Sequence, residues 1–202
     1  MSGGDRGQAY TLEGLIGAMV VLMAVLFALQ SAVITPTTGG LNDRTVQAQV
    51  QQEAQDALVV AANNESEGLS HMIRHWNTTN GEFENASGPK VDGNVTYTAK
   101  NFKGNFTLGY ILEERFAENG QNYNVEAHYE NGTAERDHKT LLYQGSPPSG
   151  AVTASYTVTL YNVENTTGSS KERLPAVDNP VIPEQNTESP VYNVVEIRVI
   201  VW

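Results

Sequence analysis

The sequence predicts an α+β fold, and three observations carry that expectation. A stretch of apolar residues spaced by three and four runs through 44–62, the period of an amphipathic helix. From Val91 onward the period changes to two, the mark of strands with one face on a core and one in water. Ahead of both lies a continuous apolar run, from Gly14 to Ile34, broken only by Gln30 and Ser31. The expected architecture is an N-terminal transmembrane helix followed by an exported domain, in which an amphipathic helix packs on an antiparallel β-sheet. In chain order this gives a polar leader over 1–9, a membrane or assembly helix over 10–34, a linker over 35–42 and an extracellular α+β domain over 43–202.

The apolar run comes first. About 21 residues at 1.5 Å each span ~31 Å as a helix, the thickness of a bilayer hydrocarbon core. A secretory signal peptide would be shorter and more basic at its start, whereas the residue beside Arg6 is Asp5. Arg6 and the terminal amine favour a cytoplasmic N-terminus, with the rest of the chain outside. Gly14, Ala18, Ala24, Ala28 and Ala32 form a stripe of small residues along which another helix can approach closely in lipid. Glu13 stands at the mouth of the run, where a carboxylate in or near lipid calls for a partner.

Beyond the run, Thr35-Pro36-Thr37-Thr38-Gly39-Gly40 reads as a break, because Pro36 disfavours helical geometry in Thr35 and the glycines interrupt regular structure. Leu41-Asn42-Asp43 supplies an N-cap, and Arg44 to Ala62 reads as a helix with Val46, Val50, Ala54, Leu58 and Ala61 on one face. Leu69, Met72, Ile73 and Trp76 mark a second, shorter amphipathic segment, and Leu108 to Glu118 a third helix ending at Asn119-Gly120.

Strands are expected at Val95 to Thr98, Val125 to Tyr129, Thr140 to Tyr143, Val152 to Tyr161 and Val194 to Trp202. The last two should pair and close the sheet. Glu130-Asn131-Gly132-Thr133 reads as a two-residue hairpin turn, since Asn-Gly tolerates positive φ. Residues 166–190, with four prolines, read as a long functional or mobile loop.

Composition narrows the function. The net charge is −11, from 23 acidic against 12 basic residues, and no basic block exists to neutralise phosphates, so nucleic acid is not an expected partner. The absence of cysteine excludes disulfides, thiolate metal sites and a Cys nucleophile. Asn64, Asn77, Asn85, Asn94, Asn105, Asn131 and Asn165 each begin an Asn-x-Ser/Thr triplet, against about two or three expected by chance, which fits an extracellular, N-glycosylated surface.

Arg6-Gly7-Gln8, followed by Tyr10-Thr11-Leu12-Glu13 and the apolar run, resembles the type IV pilin-like proteins of archaea, whose class III signal peptides combine a short polar leader with such a helix. The resemblance covers roughly the first 35 residues. It implies that a prepilin-type peptidase removes the leader and that the helix, now the mature N-terminus, docks against other pilin-like subunits. It also implies that Glu13 pairs with the freed amine of a neighbour. A cut after Gly7 makes Glu13 the sixth mature residue and a cut after Ala9 the fourth, whereas the usual pilin acid is the fifth. The acidic surface, with five lysines, resembles proteins of salt-loving archaea.

Chemistry is sparse. His71 and His75 are four apart on an expected helix, with Glu67 one turn earlier, a spacing that could place metal ligands on one face. His128 and His138 read as isolated, the latter in a solvated cluster with Asp137 and Lys139. No nucleophile elbow, phosphate-binding loop or dinucleotide fingerprint occurs, and no cofactor and no catalysis are expected. The expected role is a pilin-like, membrane-anchored cell-surface protein, structural or adhesive. Its rivals are an unprocessed tethered domain that binds a ligand, and a metal-dependent enzyme using His71.

Overall fold

The computed structural model describes residues 4–30 and 41–202 apart from residue 134, with side chains described for 11–27, 44–133 and 135–202. The chain divides into two units, Met1–Asp43 and Arg44–Trp202. Within the first, α1 (Gly4–Gln30) runs for 27 residues. Five Leu and four Ala lie in it and proline is absent, so it holds as one helix despite four glycines. It starts inside the expected leader, and the backbone is helical through Arg6, Gly7 and Gln8. Among the described residues no helix is long and apolar enough to cross a membrane. The apolar run of the sequence continues to Ile34, but 28–30 are described by backbone alone and 31–34 lie outside the described residues. Most of the expected linker, 35–40, lies outside them too.

The second unit begins within α2 (Leu41–Ala62). This helix starts three residues before the expected Arg44, so Leu41-Asn42-Asp43 belongs to the helix and does not precede it. Only the later part of its stripe is buried: Ala54, Ala57, Leu58 and Ala61 enter the core, Val50 packs partly against it, and Val46 is exposed. The Gln-rich flank is not idle. Gln51 Nε2 donates to the Thr153 carbonyl at 3.2 Å and Gln47 Nε2 to that of Gly150 at 3.5 Å, tying the helix to the sheet.

Next come α3 (Leu69–Ile73), then two small hairpins: β1 (Trp76–Asn77) with β2 (Glu82–Phe83), and β3 (Lys90–Val91) with β4 (Asn94–Val95). The second turns on Asp92 and Gly93, both at positive φ, 49° and 83°, the geometry of a tight two-residue turn. The strand expected from Val95 to Thr98 is therefore short. Thr98 instead caps α4 (Ala99–Asn105), its side chain accepting from the Asn101 N–H at 3.2 Å, as a helix N-cap should. Then α5 (Thr107–Arg115) ends through a 3₁₀ turn at Gly120, φ 78°.

The main sheet follows: β5 (Tyr123–Glu130), β6 (Arg136–Leu142), β7 (Val152–Tyr161) and β8 (Val191–Val201), antiparallel throughout, in the order β6-β5-β8-β7. The expected pairing of the last strand with Val152–Tyr161 is present, and β8 also pairs with β5 on its other side. Val195, Ile197, Val199 and Val201 all face the core.

Two turn expectations need correction. Neither Asn131 nor Gly132 has positive φ. The hairpin between β5 and β6 is a wider loop closed by Asn131 N–H to the Glu135 carbonyl at 2.9 Å, with the Asn131 side-chain oxygen accepting from the N–H groups of Thr133 and Glu135 at 3.0 Å each. A side chain that mimics the backbone removes the need for a left-handed turn. The 166–190 segment is no loose loop either: Leu174, Val177, Val181 and Ile182 are buried, and the Tyr192 hydroxyl donates to the Ile182 carbonyl at 2.9 Å.

Backbones approach closely where α5 meets α4. A Cβ on Gly109 would lie 2.3 Å from the Phe102 carbonyl oxygen and 2.8 Å from the Lys103 nitrogen, both backbone atoms, whereas one on Gly104 meets nothing within 4 Å. Gly109→Ala should therefore cost about 1–3 kcal/mol by overpacking. Gly104→Ala, at an open helical position, should be neutral or gain up to about 1 kcal/mol. Urea midpoints of the full chain, followed by tryptophan fluorescence, check both.

Candidate functional site

Along α1 every described side chain from Thr11 to Phe27 is exposed, including Leu15, Met19, Leu22, Leu26 and Phe27. Glu13, Gly14, Ala18 and Ala24 are among them. Ala28 is described by backbone only and Ala32 lies outside the described residues. At about 100° per residue, the helix places Gly14, Ala18, Ala24 and Ala28 within an arc of about 120°. Gly17, which the sequence reading passed over, falls inside the same arc and meets nothing within 4 Å. Val21 and Val25 fall in the same arc, so the face combines small residues with two β-branched ones, a surface that another helix can approach.

In the second unit His71 and His75 are brought together, their rings stacked at 5.4 Å and both against Phe106. His75 Nδ1 lies 3.5 Å from the Thr167 hydroxyl, and His71 Nδ1 is buried without a hydrogen-bond partner among the described residues. Burial pushes the His71 pKa below the ordinary 6.5, with repulsion from His75 and Arg74 adding to it and Glu67 opposing. Burial likewise lowers His75, against the pull of Glu84 and a hydrogen bond with Thr167. Both shifts favour the neutral imidazole. Glu67 is exposed, and among the described residues no group of three His, Asp or Glu side chains is placed to hold a metal.

The outer face of the sheet carries the other charged groups. His128 and His138 are directly opposite across β5 and β6, with rings stacked at 5.2 Å, so they are not isolated as the sequence suggested. The hairpin register held the signal, since pairing Glu130 with Arg136 also pairs these two. His128 Nε2 is 2.8 Å from Glu126, His138 Nε2 is 3.6 Å from Asp92, and Arg198 donates to Glu196 at 2.7 Å. The Arg198 hydrogen bond holds the Glu196 carboxyl below its usual range. Beside them, His128, Arg136, Gln185, Glu196 and Arg198 help line a shallow depression of about 260 Å³, with both signs of charge present.

None of the seven sequon asparagines is buried, and Asn85 and Asn165 are exposed. Three amide nitrogens are already engaged: Asn64 Nδ2 donates to the Thr107 hydroxyl at 2.9 Å, Asn94 to the Asp92 carbonyl at 3.1 Å, and Asn131 to Glu135 at 3.4 Å.

A family model described as a family of unknown function, DUF7288, matches residues 6–201. The chain belongs to the DUF7288 family. No curated protein matches it, and no solved structure does. The match to DUF7288 begins at Arg6, within α1, and ends at Val201, the last residue of β8.

The histidine pair in this DUF7288 member makes stability depend on pH. Well above pH 6.5 both imidazoles are neutral folded or unfolded. As pH falls through 6.5 toward the depressed folded values, the unfolded chain takes up protons that the folded one refuses, and stability drops until both states are charged. Between about pH 7 and pH 5 the urea midpoint of the wild type should fall more steeply than that of His75→Gln, which removes one such group and relieves the other. Equal slopes would show that the pair carries no linkage.

Proposed function

We propose that the protein is a pilin-like, membrane-anchored cell-surface protein, a minor structural or adhesive component of a surface assembly. The observation that carries this reading is α1: 17 successive described residues, 11–27, all exposed and almost all apolar, in a unit separate from the sheet-bearing one. Apolar surface on that scale is not left in water by a stable protein, so it is surface for lipid or for other helices. The mature helix would lie in the membrane with its small-residue strip against neighbouring subunits and Glu13 setting the axial register. The sheet-bearing domain would face outward, its negative charge limiting nonspecific association.

Removal of the leader by a prepilin-type peptidase is the step that separates this reading from a plain anchor. Protein taken from its native membrane should show, by intact-mass and N-terminal peptide mass spectrometry, a mature start at Gln8 or Tyr10. An intact Met1 or Ser2 start would refute pilin-type processing and leave a tethered domain, for which the depression beside Arg198 is the binding surface to examine.

Export also makes the sequons available for modification. Because a glycan is built on Nδ2, occupancy should be highest at exposed Asn85 and Asn165 and lowest at Asn64, whose nitrogen is engaged by Thr107. Glycopeptide mass spectrometry reads this order, and glycans on Asn64 with none on Asn85 or Asn165 would contradict it.

A further inference from the structure

The two edges of the main sheet are treated differently. The β6 edge is charged, with Arg136, Asp137 and Lys139, and is partly covered where the Tyr97 N–H donates to the Leu141 carbonyl at 2.7 Å. The β7 edge is ten residues long and contains no charged residue and no proline, in a chain of net charge −11. Edges of soluble sheets are ordinarily blunted by charge, proline or brevity, because an open edge templates another strand. The bulge at Leu160/Tyr161 disturbs only its far end.

The free groups on that edge can be assigned. Asn122 and Trp202 exchange both backbone hydrogen bonds, at 2.8 and 3.0 Å, so even-numbered residues of β8 point their backbone groups at β5. Odd-numbered residues of β8 then point at β7 and pair with its even-numbered residues. The N–H and C=O groups of Thr153, Ser155, Thr157 and Thr159 are directed away from the sheet. The Thr153 carbonyl is taken by Gln51, and among the described residues β7 has no second partner strand.

The geometry points to β7 as a homotypic docking strand: a second copy of this chain adds its own β7, antiparallel, about a twofold axis at Thr157, and the two sheets become one. Self-complementarity, which a twofold interface demands, is present in the strand. Centring the pair on Thr157 sets Ser155 opposite Thr159 and Thr157 opposite itself, so that the outward-directed backbone groups of these three residues meet one another, while Thr153 falls opposite Tyr161, whose backbone groups are bonded to Glu164. On the core-side face the same register sets Tyr156 opposite Val158 twice, an aromatic and β-branched pairing that stabilises cross-strand contacts. Charge selects the occupant. Two copies of an acidic protein repel over most of their surfaces, and this neutral strip is where they can approach. The pairing does not depend on whether α1 is a membrane anchor.

The chain has no cysteine, so one placed at the axis reports the contact directly. In an antiparallel hydrogen-bonded pair the Cα atoms lie about 5.5 Å apart, within disulfide range. Thr157→Cys in the full chain, oxidised mildly in the cells that express it, should give a disulfide-linked species of twice the chain mass. Thr133→Cys, on the exposed hairpin loop, should not. Adding Ser155→Lys and Thr159→Lys to the Thr157→Cys chain sets lysines opposite each other across the axis and should lower its cross-linking yield about tenfold, with an unchanged circular dichroism spectrum. A yield from Thr157→Cys no greater than that from Thr133→Cys, a yield indifferent to the lysines, or a cross-linked mass other than twice the chain would each overturn the pairing, the last by assigning the edge to a different partner.

Discussion

The domain depends on β8. It is the last strand in chain order yet a central one in the sheet, flanked by β5 and β7, and its Val195, Ile197, Val199 and Val201 form the buried inner face on which the helices close. A central strand must satisfy backbone groups on both sides, and both ladders here join distant parts of the chain. Buried Asn193 extends the constraint: its amide nitrogen donates to the Glu130 carbonyl at 2.9 Å and to that of Pro183 at 2.8 Å, linking β8 to the β5 hairpin and to the 166–190 segment. That link gives the proline-rich segment a fixed course over the core.

The two units answer opposite physical demands. The second hides a core rich in aromatics, in which Tyr97, Phe102 and Phe106 pack ring to ring at 5.2 to 5.9 Å, beneath an acidic and heavily polar surface. In the first, the apolar side chains described along α1, from Leu12 to Phe27, are exposed. A core without disulfides relies on close packing, and the close backbone approach at Gly109 is one of its results. The match to one family spans residues of both units.

Much of this fold was legible residue by residue. The alternation from Val152 to Leu160 and from Val195 to Val201 named both strands and their buried faces, and the three-and-four spacing found α2 and α3. Other signals were in the sequence and missed: Asp92-Gly93 is as plain a turn pair as Asn131-Gly132, and it is the one that adopts positive φ. The α4 helix could not be read from its residues. Ala99-Lys100-Asn101-Phe102-Lys103-Gly104-Asn105 has weak helix propensity and buries only Phe102, so its stability comes from packing against α5. The His128–His138 pair and the neighbours of Arg198 were likewise hidden until strand register was known.

By itself the sequence determined the local periods, the acidic surface, the absence of thiol chemistry and the length of the apolar run, because each follows from neighbouring residues or from composition. Only the tertiary structure decided which strands are central and which are edges, which histidines meet, which sequon amides are engaged, and that β7 ends the sheet uncharged, with no second partner strand among the described residues. Those outcomes depend on contacts between residues far apart in the chain. Such contacts are chosen by the shared burial of many side chains at once, and a one-dimensional pattern does not carry that information.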